Sequence, residues 1–141
     1  MTGIVVVSHS APLARAAVDL AGQMLRGDGP EIAIAAGVAD SAAPDGMALG
    51  TDAAAIAAAI ERAADGQGVL VLMDLGSAIM SAHLALEMLD PDLAQRVRLS
   101  AAPLVEGLVG AAVTASTGAS LEDVAGQADL AAEAKRLQVE S

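Results

Sequence analysis

Uninterrupted aliphatic runs, each short and each followed by a helical pattern, restrict this chain more than any other feature. Ile4-Val5-Val6-Val7 and Val69-Leu70-Val71-Leu72-Met73 contain no polar alternate positions. A strand with one face in water alternates, whereas one that is apolar throughout is covered on both faces. Interleaved with helices, such runs define a parallel sheet. Right-handed crossovers then make it a doubly wound, mostly parallel α/β layer with helices on both faces.

The rest of the chain fits that alternation. Ile4–Ser8 reads as the first strand, and a helix follows from Ala11 to Arg26, with Leu13, Ala17, Leu20, Ala21 and Met24 on one face and Gly27 just past its end. Pro12 is tolerated in its first turn, where an N–H has no helical partner. Glu31–Ala36 is a second short apolar run. Gly37–Thr51, with Pro44, Gly46 and Gly50, reads as a long irregular loop, and loops of that length are often functional. Asp52–Ala64 is an alanine-rich helix and Val69–Asp74 the third strand. Gly76-Ser77 opens a helix reaching Leu89, and Asp90-Pro91 starts a further helical turn with an aspartate cap. Val97–Ala101 is the fourth strand, Ala102–Gly107 a loop, and Leu108–Ser116 a helix. Ser120-Leu121-Glu122-Asp123 resembles a capping box before a last helix to Val139.

Composition sets further limits. The 141 residues make one domain, 1–141, able to bury about two-thirds of its unfolded surface. Aromatic residues and cysteines are absent, so the core is built from Ala, Val, Leu, Ile and Met, without disulfides or a cysteine metal site. The lack of cysteine fits a reducing cytoplasm, and no basic-then-apolar leader is expected. The most apolar stretches are broken by Asp74, Glu106 and several glycines, short of the ~20 apolar residues that a spanning helix needs. A net charge of −11 speaks against nucleic acid and anionic membranes; it suits a basic protein surface as partner and equally serves solubility alone.

In open α/β sheets, ligands gather at the carboxyl ends of the strands. Three polar features fall there: Ser8-His9-Ser10, Asp74-Leu75-Gly76-Ser77 and Pro103-Leu104-Val105-Glu106-Gly107. In the strand order 2-1-3-4 the first and third strands are neighbours, which brings His9 and Asp74 together. An aspartate beside a histidine accepts a hydrogen bond from one ring nitrogen and leaves the other as nucleophile. It also stabilises positive charge on the ring. The helix start after Ser10 favours an attached phosphoryl group. Gly76 permits close backbone approach, and Ser77 offers a hydroxyl at a second helix start.

Each residue also has a plainer role. A lone histidine after a strand is most often an ordinary loop residue, and Asp74 before Gly76-Ser77 suits a helix cap. His83, between Ala82 and Leu84, reads as a packed or interface residue, and Arg15 as part of a solvated helix face. No G-x-x-x-x-G-K-[S/T], G-x-G-x-x-G or G-x-S-x-G pattern is present, and two histidines so placed make no zinc site.

Four blocks carry a resemblance: Val5-Val6-Val7-Ser8-His9-Ser10, Gly50-Thr51-Asp52, Val71-Leu72-Met73-Asp74-Leu75-Gly76-Ser77-Ala78 and Ala101-Ala102-Pro103-Leu104-Val105-Glu106-Gly107. In this order they resemble the mannose-type enzyme IIA family, in the branch serving phosphoenolpyruvate-dependent dihydroxyacetone kinases. The resemblance implies that His9 is a phosphohistidine charged by the phosphocarrier protein HPr. It implies transfer to ADP on the nucleotide-binding subunit DhaL, and from there to dihydroxyacetone on DhaK. ADP and Mg²⁺ then reside on the partner, and this chain binds no cofactor or metal of its own. Asp74 matches the acidic partner of the histidine; Ser77, Thr51 and Gly50 match positions near the site. A cytoplasmic homodimer is implied, with the HPr-like and enzyme I-like functions, fused behind this domain in some relatives, expected on separate proteins.

Sugar-transport members of the family carry an aromatic and a second glycine at the tip of the third strand. Asp74-Leu75-Gly76-Ser77 has neither, which favours the kinase branch. The competing expectations are a sugar-transport enzyme IIA component and a regulatory module of the same fold that binds without turnover. A receiver domain phosphorylated on Asp74 is disfavoured, because Ser-His-Ser stands where such domains hold Mg²⁺ with acidic residues.

Overall fold

The computed structural model describes all residues from Met1 to Ser141. Four parallel strands form the central sheet: β1 (Gly3–Ser8), β2 (Ile32–Ala36), β5 (Val69–Met73) and β6 (Val97–Leu99), in the order β2-β1-β5-β6. Numbered within the sheet alone, this is the order 2-1-3-4 expected from the sequence. Between β2 and β5 lie β3 (Val38–Ala39), β4 (Met47–Ala48) and the helix α2 (Ala53–Ala63). The other helices are α1 (Ala11–Gln23), α3 (Ala78–Glu87), α4 (Pro91–Ala94), α5 (Leu104–Ala115) and α6 (Leu121–Glu140).

The pleat of β1 divides its aliphatic side chains between two cores. Ile4 and Val6, with Leu70 and Leu72 of β5, pack under α1, α5 and the first turns of α6. Val5 and Val7, with Val69 and Val71, pack under α2 and α3. Every residue of β1 is therefore buried, as a strand covered on both faces must be. Alanine replaces aromatic bulk: Ala14, Ala17 and Ala21 of α1 and Ala111, Ala112 and Ala115 of α5 are all buried, and their small side chains let helix backbones lie close to the sheet.

Several expectations are corrected. The first helix stops at Gln23 rather than Arg26: Met24 and Leu25 donate to Ala21 and Gly22, three residues back, and a run of glycines at 22, 27 and 29 favours leaving the helix. The loop expected over Gly37–Thr51 contains an antiparallel hairpin, β3 with β4, pairing Val38 with Ala48 and Ala39 with Met47. Asp40 and Asp45 close its turn by accepting from the N–H groups of Ala42 and Met47, and Gly46 takes a positive φ of 77°. Ala102–Gly107 is not wholly a loop, because α5 starts at Leu104. Gly107, placed at the end of that loop from the sequence, lies inside the helix, and a Cβ there would come within 2.9 Å of the Ala102 Cβ and 3.3 Å of Leu72, so only glycine fits this close approach. The fourth strand ends at Leu99, two residues early. The last helix runs to Glu140, and Ser120 caps it by accepting from Asp123 N–H at 3.2 Å, without a reciprocal bond from an acidic side chain.

Candidate active site at the carboxyl edge of the sheet

Register brings the site together. β1 and β5 run level, with Val7 opposite Met73, and Asp74 N–H continues the ladder by donating to Val7 C=O at 3.0 Å. Leaving their strands side by side, Ser8-His9 and Asp74 are held within hydrogen-bonding distance.

Three bonds converge on the Asp74 carboxylate. Its Oδ1 lies 2.9 Å from His9 Nδ1. Its Oδ2 accepts from His9 N–H at 2.9 Å and from the Ser8 hydroxyl at 3.0 Å. The Asp74 side chain is 8% exposed and that of His9 24%, so the ring is reachable while its partner is largely enclosed. Burial pushes the Asp74 carboxyl up. The His9 N–H, the His9 ring and the Ser8 hydroxyl together outweigh it and hold the group below the ordinary aspartate range.

An ionised Asp74 can only accept, so His9 carries a proton on Nδ1, and in the neutral ring this leaves the lone pair on Nε2. The Ser77 hydroxyl lies 2.9 Å from Nε2, placed to donate to that lone pair. Ser77 immediately precedes α3 and makes no capping bond with its side chain. The N–H groups of Gly76 and Ser77 donate to nothing within the protein. No Cβ contact would arise at Gly76 within 4 Å, so the backbone there is open to an approaching group. The main chain at His9 is fixed from both ends, its N–H on Asp74 and its C=O accepting from Gly50 N–H at 2.9 Å.

The structure separates the candidates. His9, Asp74, Gly76 and Ser77 stand together. Ser10 is the cap of α1: its Oγ accepts from Leu13 N–H at 3.3 Å, so its hydroxyl serves the helix. Thr51 does not reach the imidazole; its hydroxyl bonds Ser81 of α3 at 2.7 Å. Asp74 does not cap α3, since its oxygens face His9 and Ser8. His83 is exposed on α3 rather than packed. From the sequence, Ser8 stands only as part of Ser8-His9-Ser10. A polar side chain closing a wholly aliphatic strand is the signal that marks it, because a hydroxyl buried there needs a partner.

Two clefts open near the ends of β1 and β5, one lined by Asp74 and one by Ser10. One of about 260 Å³ lies beside Asp74 and Gly76, under Ile79 and Pro103. The other, also about 260 Å³, lies between Ser10, just before α1, and Met47 of the hairpin with Leu49 just beyond it. The largest cavity, about 640 Å³, lies between α5 and α6 at Val113 and Leu130 and includes neither His9 nor Asp74, so size does not mark the site.

Fold and site together define an open parallel α/β domain that presents a carboxylate-held histidine at the carboxyl edge of its sheet. Residues 3–125 match the family model EIIA-man, described as the PTS system fructose IIA component, and the chain belongs to that family. It is 50% identical to the phosphoryl donor subunit DhaM of the phosphoenolpyruvate-dependent dihydroxyacetone kinase of Klebsiella michiganensis, over 99% of this chain and 29% of that protein. The same figures hold for DhaM of Escherichia coli K12. The chain thus spans less than a third of these two relatives. Against the DhaM of dihydroxyacetone kinase 2 of Listeria innocua it is 36% identical, over 88% of this chain and 94% of that one. The crystal structure of the protein of unknown function EF1359 superposes with a TM-score of 0.74 at 34% identity, covering 93% of this chain and 96% of the other. No helix is long and apolar enough to cross a membrane.

Proposed function

We propose that this chain is the phosphohistidine carrier of a phosphoenolpyruvate-dependent dihydroxyacetone kinase. His9 accepts a phosphoryl group from phospho-HPr and passes it to ADP on a DhaL subunit, and the resulting ATP phosphorylates dihydroxyacetone on DhaK. One observation carries the reading: Asp74 holds Nδ1 while Nε2 faces the Ser77 hydroxyl. The kinase named in the relatives' descriptions supplies the identity of the acceptor.

In the loading step the Nε2 lone pair forms an N–P bond as the donor's N–P bond breaks, and that electron pair returns to the donor ring. Nδ1–H stays on Asp74, whose negative charge offsets the positive charge developing on the imidazole. The Ser77 hydroxyl turns from Nε2 to a phosphoryl oxygen, and the N–H groups of Gly76 and Ser77 provide further donors. In the second step a β-phosphate oxygen of ADP attacks phosphorus, the Nε2–P bond breaks, and the ring recovers its lone pair. Every group needed on this side is positioned beforehand, and such transfers depend chiefly on positioning and charge. ADP and Mg²⁺ belong to the acceptor subunit in this scheme. Leu75, Ile79 and Met80 stand exposed beside Ser77, and Leu49 beyond the hairpin. An apolar collar of this kind suits docking of a protein donor or acceptor better than capture of a small polar substrate.

The test is intact-protein mass spectrometry at mildly alkaline pH after incubation with phosphoenolpyruvate, enzyme I and HPr, beside a His9→Gln variant. One acid-labile phosphate on the wild type and none on the variant is expected. A folded wild type that stays unmodified while HPr is charged overturns the proposal.

A further inference from the structure

Ser8 ends β1 fully enclosed, with 0% exposure. A hydroxyl in such a place is costly unless bonded. Its Oγ accepts from Ser10 N–H at 3.0 Å and lies 3.0 Å from Asp74 Oδ2. An ionised carboxylate has nothing to donate, so the hydroxyl proton points at Oδ2. The chain of bonds therefore runs one way, from Ser10 N–H to the Ser8 hydroxyl and on to Asp74. His9 N–H reaches the same oxygen. Oδ2 thus holds two donors, while Oδ1 is left for the ring.

The last torsion of an aspartate is broad and nearly two-fold, so it does not by itself fix the carboxylate plane. One backbone donor leaves the group free to turn about that contact. A second donor from a buried, doubly bonded hydroxyl sets the plane, and with it the direction from which Oδ1 meets Nδ1. We infer that Ser8 is a positioning residue for phosphoryl transfer: its hydroxyl orients the Asp74 carboxylate so that Oδ1 holds the Nδ1 proton and Nε2 keeps its lone pair. This inference rests on the carrier role of His9. Ser8 touches neither the ring nor the phosphoryl group and acts through Asp74 alone.

Ser8→Ala tests it, with two readouts on the free protein and one with the donor. In the free protein, ¹⁵N shifts of the His9 ring report the tautomer and ¹³C titration reports the Asp74 carboxyl. A smaller Nδ1–H population and an Asp74 midpoint at higher pH are expected. Loading from charged HPr is expected to slow about tenfold, at unchanged KM, the scale of one hydrogen bond to a charged group. Ser8→Thr, which restores a hydroxyl, is expected to recover all three. Should Ser8→Ala fail to fold, Ser8→Cys keeps the size with a far weaker donor and carries the same readouts. A folded variant with wild-type ring shifts, midpoint and loading rate overturns the role of Ser8 and leaves only a satisfied buried hydroxyl. A wild type that takes no phosphate from charged HPr overturns instead the carrier reading beneath it.

Discussion

His9 and Asp74 lie 65 residues apart in the chain and 2.9 Å apart at Nδ1 and Oδ1. Their meeting follows from strand adjacency: β1 and β5 are parallel neighbours, in register to Met73, and each supplies the residue just beyond its end. The contact also has a polarity. Oδ2 faces two donors, His9 N–H and the Ser8 hydroxyl, and Oδ1 faces the ring.

That polarity makes Asp74→Asn a sharp test. The two donors at the Oδ2 position require an oxygen there, which turns the amide NH₂ toward Nδ1. The NH₂ donates, Nδ1 must accept, and the ring proton moves to Nε2. Loading from phospho-HPr is expected to fall by roughly 10²–10⁴, the scale seen when a carboxylate that sets a histidine tautomer becomes an amide. Stopped-flow or quench-flow loading rates, with ¹⁵N ring shifts, check it. A variant that loads normally with the proton still on Nδ1 contradicts the assignment.

Asp74 also predicts a pH dependence of stability. Burial raises its pKa, but the bonds from His9 and Ser8 prevail, and the folded carboxyl is more acidic than the unfolded one. Such a group stabilises the fold above its unfolded pKa of about 4. That contribution disappears as pH falls through the lower folded value. Urea unfolding followed by far-UV circular dichroism between pH 2 and 6 should show the wild type losing more stability below pH 4 than Asp74→Asn. Parallel curves would show that the carboxylate contributes nothing net.

Ser77 separates chemistry from folding. It is exposed, and its side chain caps nothing. Ser77→Ala should therefore keep the wild-type unfolding free energy within about 0.5 kcal/mol. Loss of the hydroxyl that faces Nε2 should slow loading about tenfold and shorten the life of the phosphohistidine, because one donor to the phosphoryl oxygens is gone. Intact-mass time courses measure both. An unchanged rate and lifetime would show that the hydroxyl only fills the resting site.

Much of this was legible in the sequence, for reasons visible residue by residue. The aliphatic runs Ile4–Val7 and Val69–Met73 have period-free burial, which gives a covered parallel sheet, and adjacency of their ends then follows from the strand order. The hairpin Val38–Ala39 with Met47–Ala48 was not legible, because two-residue strands leave no periodicity and their turn is made by side-chain bonds of Asp40 and Asp45. The start of α5 at Leu104, inside the stretch read as a loop, was hidden for another reason: Gly107 fits a helix-to-Ala102 approach that only the packed structure reveals. Thr51 and Ser10 were grouped with His9 by their nearness in the chain or in a motif. Their hydroxyls prove to face Ser81 and Leu13 N–H, a distinction of a few ångströms that spacing does not encode.

Two glycines give a final contrast that probes the frame on which the site depends. Gly3 opens β1, where it pairs with Val69 and donates to Gly68 C=O at 2.9 Å. A Cβ there would lie 2.0 Å from the carbonyl oxygen of Ala63, in the last turn of α2. Backbone cannot step aside as a flexible side chain does, so α2 or β1 must shift, and β1 carries Ser8 and His9. Gly3→Ala is expected to cost about 3 kcal/mol in urea unfolding, at the upper end of overpacking effects. Gly126 is exposed on α6 with nothing within 4 Å of its would-be Cβ, so Gly126→Ala should instead stabilise by about 0.5–1 kcal/mol through helix propensity. If Gly3→Ala unfolds at the wild-type midpoint, the end of α2 does not seat on β1 this closely, and the placement of the histidine-bearing strand has a different cause.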